Sequence, residues 1–346
     1  MTFLRPVAIV ASVLMLGESA LAQLQSAPAA NPPSASKSVK TKTIKSVLPT
    51  PPARPVPDIK ANAQAPDDPN VDPVYGAYQR GLYKTAFDLA LKQAQENKVP
   101  AAMTMLGELY ANGLGVKRDY GKAIEWHQLA ADLGDREAMF ALAMLRISGR
   151  GGPPDRASAV KWLASSAKLG EPKAAYNLAL LYMDGQTLPQ DFKRAAELLR
   201  FAADAGSPEA QYALATFYKE GTGLEKNLYK SVRLLQAASL AGNVDAEVEY
   251  AIALFNGSGT QKNEAAAVSL LRKAARQNSA IAQNRLARVL VTDMGVPTDK
   301  IEGLKWHIVA KTAGKGDLML DEAMAQATPE ERAKAESAAR KWLGIQ

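Results

Sequence analysis

Gly134, Gly170, Gly206, Gly242, Asn278 and Gly314 stand 36 residues apart without a slip. Gly113, Gly149, Gly185, Gly221 and Gly257 keep the same period, with Asp293 in the sixth place. Asp119, Asp155, Asp191, Asn227, Asn263 and Asp299 form a third register, and Ala102, Ala138, Ala174, Ala210, Ala246 and Ala282 a fourth. Agreement of four registers over six copies means one supersecondary unit repeated along the chain.

Each register has a physical role. Ala102 to Asn112 reads as a helix A of about three turns, ended by Gly113, where a positive φ is needed. Asp119 and its equivalents are N-caps of a helix B, their side-chain oxygens accepting from amides of the first turn. Helix B ends at Gly134, and Asn278, the exception, is the residue type next best suited to a left-handed position. Asp135, Ser207, Asn243 and Ser279 then cap the next helix A. Leu106, Leu109, Tyr110, Ile124, Trp126 and Ala130 mark the inward side of the unit. The alanines at 102 and its equivalents leave room for close helix approach, so a larger residue there overpacks.

One such unit cannot bury its apolar stripe alone, but stacked units can. The expected fold is therefore all-α: a right-handed α-solenoid of about six 36-residue helix-turn-helix repeats over 101–317. Capping elements are expected at both ends. Asp72-Pro73 opens a leading hairpin over 72–100 whose second helix is Gly81 to Gln95. At the far end, 318–346, Thr328-Pro329-Glu330-Glu331 is a capping box that starts a polar helix to Trp342.

The N-terminal segment differs in kind. Arg5, the apolar run Pro6 to Leu16 and Ala20-Leu21-Ala22 read as a cleaved secretory signal over 1–22. Its apolar run is shorter than the roughly 20 residues needed to span a bilayer. Residues 23–71 contain ten prolines and no apolar periodicity, the composition of a disordered linker. The formal charge of the chain is +7. Over residues 23–66, Lys37, Lys40, Lys42, Lys45, Arg54 and Lys60 stand against Asp58 alone, so most of that charge lies outside the repeats. A nucleic-acid binder carries its charge on the folded domain, and such a partner is not expected. The chain has no cysteine, which removes disulfides, thiolate chemistry and a lipidated cysteine. A periplasmic or secreted location follows from these expectations.

The stretch 101–135, AAMTMLGELYANGLGVKRDYGKAIEWHQLAADLGD, resembles the SEL-one-like repeat family, relatives of the tetratricopeptide repeats. The Gly-x-Gly-Val loop and the 36-residue period separate it from the 34-residue tetratricopeptide unit. Later copies depart locally, with SGRGGPPD in the second loop, Thr187 at the second glycine of the third and Asp293 in the sixth. The resemblance implies an adaptor or scaffold that binds partner proteins, and exported members regulate envelope processes in this way.

Catalytic signatures are lacking. His127 and His307, the two histidines, are five repeats apart, on the order of 40–50 Å along a stack of helices, and read as ordinary helix B positions. The recurrent Gly-x-Gly pairs are connectors rather than phosphate cradles. No enzyme activity, cofactor or metal site is expected. The variable stripe of helix A, opposite its inward residues, is the expected partner surface: Met105, Glu108, Met144, Asn177, Leu180, Thr216, Glu249, Ile252, Arg285 and Arg288. Such a groove suits an extended or helical peptide from a protein of the cell envelope. The alternative, a carbohydrate- or peptidoglycan-associated protein with or without hydrolytic activity, wants aromatic platforms and a carboxylate pair, and no residue of this stripe is aromatic.

Overall fold

A computed structural model describes residues 72–345 except Asp293. The expected signal, linker and Asp293 turn lie outside the described residues. Within them the chain forms sixteen helices and no strand. A leading hairpin, α1 (Pro73–Gln79) and α2 (Tyr83–Asn97), precedes the repeats. The A helices are α3 (Pro100–Asn112), α5 (Arg136–Ser148), α7 (Pro172–Asp184), α9 (Pro208–Glu220), α11 (Val244–Asn256) and α13 (Ala280–Val291). Their B partners are α4 (Tyr120–Asp132), α6 (Arg156–Lys168), α8 (Phe192–Asp204), α10 (Leu228–Leu240), α12 (Glu264–Arg276) and α14 (Lys300–Thr312). Two further helices, α15 (Leu318–Gln326) and α16 (Pro329–Leu343), follow.

Capping chemistry sets these boundaries. Asp119 Oδ1 accepts from Lys122 N at 3.1 Å, and the Asp or Asn at each equivalent position caps its own helix B. Five of the six A helices end on a glycine of positive φ. In the sixth, α13 stops a residue short on an extended Thr292, because no glycine is available to take the left-handed turn. Helix α3 starts two residues before the expected Ala102, since Pro100 supplies a preset N1 φ after Val99. The second hairpin helix is shifted toward the C-terminus, from the expected Gly81–Gln95 to Tyr83–Asn97. Gly81, at φ +75°, belongs to the preceding turn.

Helices pack chiefly on their neighbours in sequence, and A helices α3 and α5 also meet. The alanine register is buried in every copy: Ala102, Ala138, Ala174, Ala210, Ala246 and Ala282 are all at most 2% exposed. Ser166 replaces alanine in the equivalent helix B register and donates its hydroxyl to Arg136 O at 2.7 Å, so the swap leaves no unpaired polar atom. In the fourth and fifth repeats the second glycine of the loop lies where that loop crosses the preceding helix B. A Cβ at Gly223 would collide with the Phe192 carbonyl of α8, and one at Gly259 with that of Leu228 in α10. Loops of one repeat thus seat on the start of helix B in the repeat before, which ties unit to unit.

At the C-terminal end α16 covers α14. Trp306 and Trp342 meet edge to face with centroids 5.1 Å apart, and the Lys305 ammonium stands 4.1 Å from the Trp306 ring centre. The capping box at Thr328 and Glu331 is formed. Among the described residues no helix is long and apolar enough to cross a membrane.

Candidate functional site

Adjacent A helices present their exposed stripes side by side. Between the first three of them lies a cavity of about 260 Å³, bordered by Thr104, Glu108, Phe140, Met144 and Lys173, with His127 reaching it from helix B. The position of His127 depends on Gly107. A Cβ at 107 would lie 2.5 Å from the imidazole Cε1, so the ring occupies space that a side chain there would fill. The matching positions in repeats two to five carry alanine facing leucine: Ala143 and Leu163, Ala179 and Leu199, Ala215 and Leu235, Ala251 and Leu271. The first repeat exchanges both at once, which opens helix A and puts a polar ring beneath the groove.

His127 is 1% exposed, and burial lowers its imidazole to about 4, so it is neutral at pH 7. Its Nδ1 and the hydroxyl of buried Thr104 have no hydrogen-bond partner among the described residues. Burial, and then the nearby Glu137, raise the Glu108 carboxyl, against a hydrogen bond from Asn112 and the charge of Lys173. Neither Glu108 nor Glu137 takes part in an ion pair among the described residues. Glu171, also at the border, is committed: it faces Arg136 at 3.6 Å and caps α7 through Lys173 N.

The ten residues expected to form one surface fall into three groups. Glu108 and Met144 line the cavity. Arg285 and Arg288 border a separate shallow surface with Ile281, Asn284 and Lys315 at the other end. The remainder are half-buried and packed or hydrogen-bonded within the chain. Met105 packs between the leading hairpin and the first repeat, Leu180 against the central core and Ile252 against the C-terminal one. Asn177 donates to Lys173 O at 2.8 Å, Thr216 to Tyr212 O at 3.2 Å, and Glu249 accepts from Lys219 at 2.8 Å.

Thr104, His127, Glu137 and Phe140 line the cavity and are absent from the expected surface. Phe140 brings an aromatic side chain to the cavity border from outside the ten expected positions, in a register that carries Tyr176 and Tyr212 in the next two copies. Burial, with a contribution from Glu209, pushes the Tyr176 hydroxyl up to about 12. Burial raises Tyr212 as well, helped by Glu249 and Asp245. The paired departure at 107 and 127 was the readable signal for the cavity, since two registers break together in one copy.

Among the described residues no group of three or more His, Asp or Glu side chains is placed to hold a metal ion. The cavity combines apolar walls, two carboxylates without ion pairs, and two buried polar atoms in want of a partner.

Comparison with known proteins agrees with this architecture. The description "Sel1 repeat" matches six consecutive segments, 100–135, 136–171, 172–207, 208–243, 244–279 and 280–315. A protective antigen present in uropathogenic Escherichia coli strains, displaying an SLR fold, is similar at 25% identity and a TM-score of 0.65, covering 78% of this chain. The chain spans 61% of that antigen's length. A Sel1 repeat protein from Oxalobacter formigenes is similar at 26% identity and a TM-score of 0.59, over 69% of this chain and 98% of that one. Among curated proteins none matches. Six uninterrupted matches, each beginning at or within a residue of the start of an A helix and including its B partner, show that the chain belongs to the Sel1 repeat family.

Proposed function

We propose that this protein is an exported adaptor that binds a partner polypeptide along the stripe of its A helices. Sel1 repeat proteins are generally protein-interaction scaffolds. The observation that carries the reading here is the cavity between α3, α5 and α7, which joins three repeats into one recognition surface. Neighbouring repeats supply successive side-chain positions along such a surface, as an extended or helical peptide requires. Export rests on the N-terminal pattern of Arg5, the apolar run to Leu16 and Ala20-Leu21-Ala22. The function is that of a non-catalytic scaffold located in the periplasm or outside the cell.

The test is crosslinking in intact cells with the protein tagged at its C-terminus, followed by identification of what is captured and by fractionation. A reproducible envelope or secreted protein, lost when Glu108 and Glu137 are both changed to Lys, supports the adaptor. A protein found only in the cytosolic fraction overturns export. Capture of glycan alone overturns the adaptor in favour of a carbohydrate-associated role, for which Phe140 beside Glu108 and Glu137 is the supporting feature.

A further inference from the structure

The cavity between the first three A helices has a more specific chemistry than a general peptide groove. Its walls include Phe140, Met144 and Leu145, which offer apolar surface to a long side chain. Glu108 and Glu137 border it without an ion pair of their own. Beneath them Thr104 Oγ1 and His127 Nδ1 are buried and unpartnered, an arrangement that costs stability unless something else supplies the hydrogen bonds. A neutral imidazole has one ring nitrogen able to accept, and a hydroxyl accepts as readily as it donates.

We propose that the cavity is an anchor for an arginine side chain of the partner polypeptide, its stem against Phe140 and Met144 and its guanidinium directed to Glu108, Glu137, Thr104 and His127. This rests on the partner-binding reading above and adds the residue type recognised. Arginine fits the acceptor set because its fork carries five donors, no acceptor and a permanent charge. An acidic side chain would meet two carboxylates. An apolar one would fill the walls but leave Thr104 and His127 unpaired. Lys173 also borders the cavity and its charge offsets part of the carboxylate field, so it competes with an incoming cation. Arg150, the other basic residue at the border, lies over the Tyr120 ring with its guanidinium carbon 5.8 Å from the centre.

The paired exchange at 107 and 127 provides a conservative control. Gly107→Ala with His127→Leu recreates the pairing found in repeats two to five and replaces the imidazole of the polar floor with an apolar side chain.

The experiment follows backbone amide shifts of the full chain by NMR. It is titrated separately with N-acetyl-arginine amide, N-acetyl-norleucine amide and N-acetyl-glutamate amide. Arginine is expected to shift amides of 104–112 and 137–148 and to bind about tenfold more tightly than norleucine, the worth of one charge-assisted hydrogen bond. Glu108→Gln with Glu137→Gln, and separately the Ala–Leu pair, are expected to remove that preference, and Lys173→Ala to strengthen arginine binding. Equal binding of norleucine and arginine, or shifts scattered outside these segments, overturns the proposal. Partner capture in cells is a separate readout. A partner still captured by the Ala–Leu variant sinks the arginine anchor and leaves the adaptor standing. Arginine binding with no partner captured by the unaltered protein sinks the adaptor instead.

Discussion

Arg288 Nε lies 2.5 Å from Asp317 Oδ2, across the junction between the last A helix and the first helix after the repeats. Asp317 is also the N-cap of α15, accepting from Met319 N and Leu320 N, and takes a further hydrogen bond from Asn284 at 3.0 Å. One carboxylate therefore closes the C-terminal end of the stack, and the Arg288 guanidinium holds it well below the usual range, at about 2. Because the folded value is depressed, the stabilisation is fully present above about pH 5 and fades as pH falls from about 4 through 2. With the guanidinium half exposed, its size is about 1–2 kcal/mol. Asp317→Asn keeps a capping side chain and removes the charge. Urea denaturation should find it less stable than the unaltered chain at pH 7, with the gap closing near pH 2. A gap of the same size at both pH values would mean that the carboxylate's charge contributes nothing.

The same pair separates two arginines that the repeat pattern treats alike. Arg285 is exposed and makes no ion pair among the described residues, whereas Arg288 is engaged. Arg285→Glu should leave the denaturation midpoint unchanged within about 0.5 kcal/mol. Arg288→Glu places a carboxylate against Asp317 and should lower it by about 1–3 kcal/mol. If partner capture depends on this end of the groove, Arg285→Glu weakens it in a protein of normal stability. Lost capture with Arg288→Glu alone reports the damaged cap instead.

Most of the fold was legible in the sequence because capping is local. An N-cap needs only its own side chain and the next three amides, so Asp119 or Asn227 announces a helix start without knowledge of the rest. The candidate site was harder to read for a geometrical reason. Positions 105, 108 and 112 share a stripe on one helix, but the neighbouring repeat decides which of them stays open. Met105 is covered by the leading hairpin, while Glu108 is not. Asp317 lies beyond the last repeat, so periodicity gave no warning that it would take up Arg288. The cavity itself was signalled by Gly107 and His127, whose significance appears only when the two registers are compared with each other.

Loop glycines offer a comparison in which backbone strain and steric contact come apart. Gly206 and Gly223 both have positive φ, +91° and +67°. A Cβ at Gly206 would meet nothing within 4 Å, whereas one at Gly223 would strike the Phe192 carbonyl. Gly206→Ala should cost only the left-handed penalty of about 1–2 kcal/mol. Gly223→Ala should cost more, since the loop must also lift from α8. Thermal denaturation of the two variants checks this, and equal losses would rule out a role for the second glycine in seating one repeat on the next.

Glu247 is a carboxylate with 0% exposure in a register where the repeats on either side carry glutamine. Gln211 and Gln283 donate their amides to Ala203 O and Ala275 O, the last-turn carbonyls of the preceding B helices, at 3.3 and 3.1 Å. A carboxylate has no proton to donate, so Glu247 is instead served from the next B helix, by Lys273 at 2.8 Å and Gln277 at 3.4 Å, with its Oε1 left unpartnered. Burying such a charge is costly, and its pairing repays the desolvation only in part. Glu247→Gln should therefore be neutral or stabilising, since the amide can donate to Ser239 O as its counterparts do. Lys273→Met should destabilise by about 1–3 kcal/mol by leaving the carboxylate unpaired, and Glu247→Gln should rescue it. Denaturant midpoints of the two single variants and the double complete the cycle. A double variant no more stable than Lys273→Met alone would show that the lysine acts through its packed stem rather than its charge.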